Sequence, residues 1–174
     1  MVSQARRIYV QLMMQVVGRA MQAISEVDDE VRKETAVLPD GFLFEMTIMP
    51  DGPALVMGKM PGGRLRYMGE KGPAAPDLSI QFKHLTHAFL VLSFQEKTSQ
   101  SFANDRMLVD GDLGYSLRMV RVLNRLESFI LPKLIAERAV KEYPHDLHLP
   151  KKLIHGARIY FQVATNLIDT VRAS

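Results

Sequence analysis

The sequence contains no cysteine and no tryptophan, and aromatic residues make up only 7% of its 174 residues. The absence of cysteine excludes disulfides, cysteine-ligated zinc and thiol catalysis. It also suits a reducing compartment, so we expect a cytoplasmic protein. No run of about 18 uncharged apolar residues occurs, which argues against a membrane-spanning helix.

What the sequence does contain is typical of one globular domain, with 47% hydrophobic and 24% charged residues. The net charge is only +3, and the basic excess lies in residues 113–174, which carry ten Lys/Arg against five Asp/Glu. Nucleic-acid binding normally requires a strong basic patch, so we expect no nucleic-acid partner.

The N-terminal region, residues 4–34, has the pattern of one long helix with a wide apolar face. This face must be covered by the domain, by a second subunit or by lipid. A narrow polar stripe at helical spacing interrupts it, formed by Gln11, Gln15, Arg19, Gln22 and Glu26.

Residues 41–83 change to the period-two alternation of β-strands, beginning with Phe42, Phe44, Met46 and Ile48. Turn residues separate this strand from others at about 54–60 and 64–69, and short connections make these three antiparallel neighbours. A fourth strand carries Leu78, Ile80 and Phe82, and residues 107–111 form a fifth.

Helical patterns return from His84. We predict a short helix with Phe89 on its apolar face, a further turn or two over 97–105 with Phe102 inward, and a long helix over 113–138. Asp112 is placed to cap the long helix, and Pro132 predicts a kink or a division in it. A last helix is expected over 151–171.

These elements predict an α+β fold: a five-stranded, mostly antiparallel sheet with helices over one face, plus added N- and C-terminal helices. We divide the chain into an N-terminal helical extension (1–38), a central domain of sheet and helices (39–143) and a C-terminal helical extension packed on it (144–174). The side chains expected between sheet and helices, called here the predicted apolar layer, are Phe42, Phe44, Leu78, Ile80, Phe82, Phe89, Phe102, Val109, Leu117 and Val120. They form either a filled core or the lining of a ligand site.

The order of features over residues 41–135 resembles the SCP2-like sterol-carrier family. The similar parts are the strand that begins at residue 41, the segment PDLSIQF at 76–82, and VDGD at 109–112 before the long helix. Asp77 matches the aspartate that opens the family's fourth strand, and Gly111-Asp112 matches the Gly-Asp that ends the fifth. The resemblance implies an apolar tunnel between sheet and helices that holds a lipid.

No catalytic or metal-binding set is evident. His84 and His87 are three residues apart, as are His145 and His148, but no further ligands complete a site. The serines show no nucleophile elbow, and the glycine-rich turns lack the Lys-Ser/Thr of a P-loop. We therefore expect a non-enzyme with no metal and no cofactor.

Arg118, Arg121 and Arg125 form a basic stripe on the long helix. They either contact anionic lipid headgroups at a peripheral membrane surface or lie on a solvated outer face.

The sequence thus predicts a non-catalytic carrier for an apolar ligand of the fatty acyl, sterol-like or polyprenyl kind. The alternative is an interaction protein of the same fold with a filled core, which forms a homodimer through its terminal helices or serves a lipid-metabolic enzyme complex.

Overall fold

The structure is a computed structural model that describes residues 2–140, with side chains described for residues 4–129. The helices are α1 (Val2–Val27), α2 (Asp29–Ala36), α3 (Leu85–Leu92), α4 (Thr98–Ala103) and α5 (Leu113–Val140). The strands are β1 (Leu43–Ile48), β2 (Ala54–Lys59), β3 (Leu65–Tyr67), β4 (Leu78–Phe82) and β5 (Met107–Gly111). The predicted helix over 151–171 and the C-terminal extension lie outside the described residues.

The predicted α+β class is confirmed by a five-stranded sheet in the order β3-β2-β1-β4-β5. Adjacent strands are antiparallel except β1 and β4, which pair in parallel with Phe44 opposite Leu78 and Ile48 opposite Phe82. The parallel pair arises because the chain leaves β3 at one edge of the sheet and returns beyond β1.

One face of the sheet is apolar because alternate strand residues point to the same side. On β1 and β4 these residues are at most 2% exposed, and they join side chains of α1, α3 and α5 in a single core. The buried inward residues of these two strands are Phe44, Met46, Ile48, Leu78, Ile80 and Phe82. The main core therefore lies between this face and the helices.

The wide apolar face of α1 is covered by the domain itself. Val10, Met13 and Met21 are fully buried, and α1 packs on α3, β2 and β3. The sequence allowed three partners for this face: the domain, a second subunit or lipid. The structure shows that the domain covers it. The division at residue 38 between an extension and a domain stays a prediction.

The prediction of one continuous helix over 4–34 is wrong, because the chain breaks at Asp28. This residue has an extended backbone, and its carboxylate accepts a hydrogen bond of 2.9 Å from the Val31 N–H at the start of α2. The side chain thus replaces the carbonyl partner that a continuous helix would supply. At the other end of α2, the Thr35 hydroxyl donates to the Gly63 carbonyl in the β2–β3 turn.

Asp112 caps α5 as predicted, since its Oδ1 accepts a 3.0 Å hydrogen bond from the Tyr115 N–H. Of the two alternatives at Pro132, the division is wrong, because α5 continues past this residue to Val140, and the kink stays a prediction. Over the part of the chain that the structure describes, none of the helices has the length and apolar character needed to cross a bilayer.

Candidate functional site

A small cavity lies between the helices and the sheet, and we call it the helix–sheet cavity. Its volume is about 30 Å³. α1, β1, α3, α4, α5 and the residue Phe94 just after α3 all contribute to its wall. The lining residues are Val17, Met46, Val91, Leu92, Phe94, Thr98, Leu123, Leu126 and Glu127.

The polar side chains of this wall are Thr98 and Glu127, which contact each other. The Thr98 hydroxyl donates a 2.9 Å hydrogen bond to Glu127 Oε1, and Thr98 is only 3% exposed. Burial raises the pKa of Glu127, although the hydrogen bond from Thr98 and the charge of Lys97 each lower it. A carboxyl with a raised pKa in an otherwise apolar cleft is a common mark of a functional position.

The backbone after α3 also shapes this wall. Phe94 has a φ of 59°, in the left-handed region that bulky side chains rarely adopt. Its amide donates a 3.0 Å hydrogen bond to the Val91 carbonyl, which closes the end of the helix. The chain then passes into α4, which places Thr98 against Glu127 in the cavity wall.

The helix–sheet cavity is too small in this conformation for the lipid that the family resemblance implies. A volume of about 30 Å³ has room for about one water molecule. Pockets that hold small organic ligands are roughly ten times larger or more. The layer between helices and sheet is therefore closely packed in this conformation, and the open tunnel implied by the resemblance is not seen in the described residues.

Most of the predicted apolar layer is buried, but none of it lines the helix–sheet cavity. Val109 and Val120 are partly buried against the core. The fully or largely buried members are Phe42, Phe44, Leu78, Ile80, Phe82 and Phe89. Ligand contact by any of these residues stays a prediction.

The inward placement of Phe102 and Leu117 is wrong. Phe102 is 47% exposed, because Thr98 and Ser101 form the buried side of α4. Leu117 is 52% exposed, because α5 packs through the face that carries Met119 and Leu123. In both helices the apolar residue lies about a quarter turn or more from the side that the fold buries.

The arginine stripe of α5 lies beside α2 and forms ion pairs with its carboxylates. Arg118 and Arg121 contact the Glu34 carboxylate at 3.1 and 3.4 Å, and Arg125 donates two hydrogen bonds of 3.0 and 3.1 Å to Asp28 Oδ2. The stripe therefore forms an interhelical ion-pair row on a face that stays partly solvated, since the Arg121 and Arg125 side chains are 61% and 45% exposed. Contact with lipid headgroups stays a prediction, and it requires these ion pairs to be exchanged.

The ion-pair row lowers the pKa of the Asp28 carboxyl. Burial by itself raises the pKa of Asp28, but the hydrogen bonds from the Val31 N–H and Arg125, with the arginine's charge, more than offset it. The pKa of Asp28 therefore lies below its ordinary value. The row stabilises the packing of α2 on α5.

The residues that carry the family resemblance meet at one corner of the sheet and have structural roles there. Asp77 Oδ2 accepts a 2.8 Å hydrogen bond from the Leu43 N–H, and the Asp77 N–H donates to the Leu43 carbonyl at 2.9 Å. Gly111 has a φ of 130°, and a Cβ there would lie 2.6 Å from the Asp77 carbonyl oxygen. These motif residues therefore fix the pairing of β1, β4 and β5 and do not line the cavity.

The histidines described by the structure have local roles. His84 caps α3, with its Nδ1 accepting a 3.2 Å hydrogen bond from the Thr86 N–H, and its ring lies 6.0 Å from that of His87. Between residues 4 and 129, no group of three potential ligands could hold a metal ion. His145 and His148 lie outside the described residues.

Comparison with known proteins finds similarity in solved structures. No family model and no curated protein matches this chain. A structure titled "UbiJ-SCP2 Ubiquinone synthesis protein" matches at a TM-score of 0.48 and 9% identity, covering 67% of this chain and 93% of its own. Sterol carrier protein domain 2 of Helicoverpa armigera matches at a TM-score of 0.45 and 14% identity, over 64% of this chain and 86% of its own.

Sterol carrier protein 2 from Yarrowia lipolytica, in its apo form, matches at a TM-score of 0.42 and 7% identity, over 64% of this chain and 87% of its own. The observed sheet itself confirms the predicted five-stranded, mostly antiparallel architecture. Neither a ligand nor an activity of this chain follows from these similarities.

Sequence reasoning missed the polar side chains of the cavity. Thr98 and Glu127 are far apart in the chain, and their contact depends on how α4 packs on α5. One local signal was present: Glu127 follows Met119 and Leu123 at successive intervals of four residues. This spacing places the carboxyl on the buried face of α5.

Proposed function

We propose that this protein is a non-catalytic binding protein that carries an apolar ligand in the helix–sheet cavity. The observation that carries the proposal is the composition of that cavity: apolar walls with a single hydrogen-bonded carboxyl, Glu127. Ligand sites are typically apolar with a few placed polar groups, whereas a purely structural core gains little from a carboxyl that has no ion pair among the described residues. The motif resemblance to sterol carriers and the absence of cysteine support a cytoplasmic lipid carrier.

The proposal requires the cavity to widen when a ligand enters, and the core is suited to this. Met46 lines the cavity, and methionine also recurs through the surrounding core. Methionine side chains are unbranched and flexible, so they can adopt new conformations around an irregular guest. The buried methionines are Met13, Met14, Met21, Met46, Met57, Met107 and Met119.

The hydroxyl contacts favour binding over catalysis. Within the described residues, no serine or threonine hydroxyl donates a hydrogen bond to a histidine, as a nucleophile and its base would. Thr98 donates to Glu127 and Ser79 donates to Glu45, and both carboxylates act there as acceptors. We therefore extend the proposal to a carrier or sequestering role without chemistry on the ligand.

Native mass spectrometry of the freshly purified full chain, followed by solvent extraction, tests this proposal. We expect a mass above that of the chain by one apolar molecule, which denaturation releases. A second arm adds an uncharged fluorescent probe to the delipidated protein, and we expect saturable uptake. A protein that is empty on purification and takes up no probe contradicts the carrier function.

A second candidate is an interaction protein of the same fold whose core is permanently filled. The observation in its favour is the small cavity, with a volume of about 30 Å³. Its interface cannot rest on the apolar face of α1, which is packed inside the domain. Leu113 and Leu117, 63% and 52% exposed on one side of α5, are better placed.

Light scattering separates the two candidates. An empty protein that is a dimer, and that becomes a monomer in the double variant Leu113→Asn/Leu117→Asn, supports the interaction protein. A monomer that binds the probe supports the carrier.

A further inference from the structure

We infer that the helix–sheet cavity selects an uncharged, hydroxyl-bearing apolar molecule over a fatty acid anion, with Glu127 as the specificity-determining residue and Thr98 as its positioning residue. The inference rests on the proposed function and narrows its ligand class. Of the fatty acyl, sterol-like and polyprenyl ligands that the sequence predicted, it excludes the free fatty acids.

The geometry leaves one carboxylate oxygen for a ligand. Glu127 lines the cavity, and its Oε1 is occupied by the Thr98 hydroxyl at 2.9 Å. Among the described residues no group donates a hydrogen bond to Oε2, and this oxygen remains accessible to solvent. A carboxylate oxygen is purely an acceptor, so the group that complements Oε2 is a donor such as a hydroxyl.

Thr98 determines which oxygen is free. It is 3% exposed at the start of α4, and its hydroxyl proton is used in the bond to Oε1. Because this donor is taken, Thr98 cannot offer its proton to a ligand carbonyl or carboxylate. The wall of the cavity therefore presents an acceptor to its guest.

The charges near Glu127 also disfavour an anion. Lys97 is the neighbouring cation, and it lies on the exposed surface outside the cavity wall. Arg125 on the same helix is paired with Asp28 and lies over the Phe129 ring. Apart from Thr98 and Glu127 the lining residues are apolar, so a ligand carboxylate would meet an acceptor oxygen and, within the described part of the chain, no cation in the wall.

Three ligands with the same chain length test the inference: 1-decanol, decanoate and methyl decanoate, titrated into the full-length, delipidated protein. The pH is mildly alkaline, to keep Glu127 ionised despite its raised pKa. We expect the alcohol to bind about tenfold more tightly than the acid, the size of one hydrogen bond to a charged group. The ester, which is uncharged but lacks a donor, is expected between them.

Two variants separate charge from hydrogen bonding. Glu127→Gln removes the charge and keeps an acceptor, so decanoate binding should improve about fivefold or more while decanol binding changes little. Glu127→Leu removes both, so decanol affinity should fall to that of the ester. Glu26→Gln is the matched control, because it removes the same charge from an exposed site on α1, and circular dichroism verifies that each variant is folded.

The outcomes distinguish the two proposals. If the wild-type protein binds none of the three ligands, the carrier function itself fails. If it binds all three equally, or if Glu127→Gln leaves the ratio of alcohol to acid unchanged, the carrier function stands and the assignment of Glu127 is overturned.

Discussion

The carboxyl groups of Asp28, at the start of α2, and Glu127, in α5, have different surroundings. Asp28 lies against the α2 side, where the Val31 N–H and Arg125 hold it, and its pKa is lowered. Glu127 lies on the core side, where burial is offset by one hydroxyl and one exposed lysine, and its pKa is raised. Asp28 therefore stabilises the fold, whereas the burial of the Glu127 carboxyl costs stability. Of these two residues, only Glu127 lines the helix–sheet cavity.

The largest effect is expected at Asp28. Asp28→Ala removes a helix cap, worth about 1 kcal/mol, and charged hydrogen bonds to Arg125, worth about 1.5 kcal/mol or more. We expect the free energy of unfolding to fall by about 2–3 kcal/mol in urea denaturation. This contribution is complete above the ordinary aspartate pKa and is lost as pH falls through the lowered pKa of the folded state.

Arg121→Gln is the control for this row, because its ion pair with Glu34 is longer, at 3.4 Å, and the arginine is 61% exposed. We expect a change below about 0.5 kcal/mol. An Asp28→Ala effect as small as that of the control would show that the two carboxyls do not differ in structural role.

A smaller effect is expected at Thr98. Thr98→Val keeps the shape but removes the donor to Glu127, so stability should fall by about 1 kcal/mol. Because that hydrogen bond lowers the pKa of Glu127, the variant should raise it further. A carbon-detected NMR titration of the Glu127 carboxyl measures this shift, and Ser99→Ala, at the exposed neighbouring position, should leave it unchanged.

The smallest effect, with the opposite sign from Asp28, is expected at Glu127. Glu127→Gln should stabilise the protein by about 0.5 kcal/mol at neutral pH, because it removes a partly buried charge and keeps the acceptor for Thr98. The wild-type cost is present above the raised pKa of the folded state and disappears below the ordinary glutamate pKa. The gain should therefore fade on acidification, and a gain that is independent of pH would contradict this account.

The strands and the corner motif could be predicted from the sequence because their signals are local. The alternation of Phe42, Phe44, Met46 and Ile48 directly reports the buried face, and Asp77 and Gly111 were identified by short motifs. The break at Asp28 was missed, although an aspartate followed by acidic residues is a usual helix start.

The cavity could not be predicted in the same way, because it depends on how the helices pack. Phe102 was assigned inward for its apolarity, yet the small residue Ser101 occupies the buried side of α4. Conversely, no role was predicted for Glu127, although it follows the core residues of α5 at helical spacing. Composition alone does not show which side of a helix the neighbouring elements will cover.

The most direct test of ligand binding in the helix–sheet cavity fills it. Val91 lines the cavity and is 6% exposed, so Val91→Phe occupies the space that a ligand needs. Leu113→Phe introduces the same side chain at a position that is 63% exposed. In calorimetric titrations with 1-decanol, we expect Val91→Phe to lose at least about tenfold in affinity, and Leu113→Phe to match the wild-type protein. Equal affinity in the folded Val91→Phe variant and the wild-type protein would contradict binding at this site.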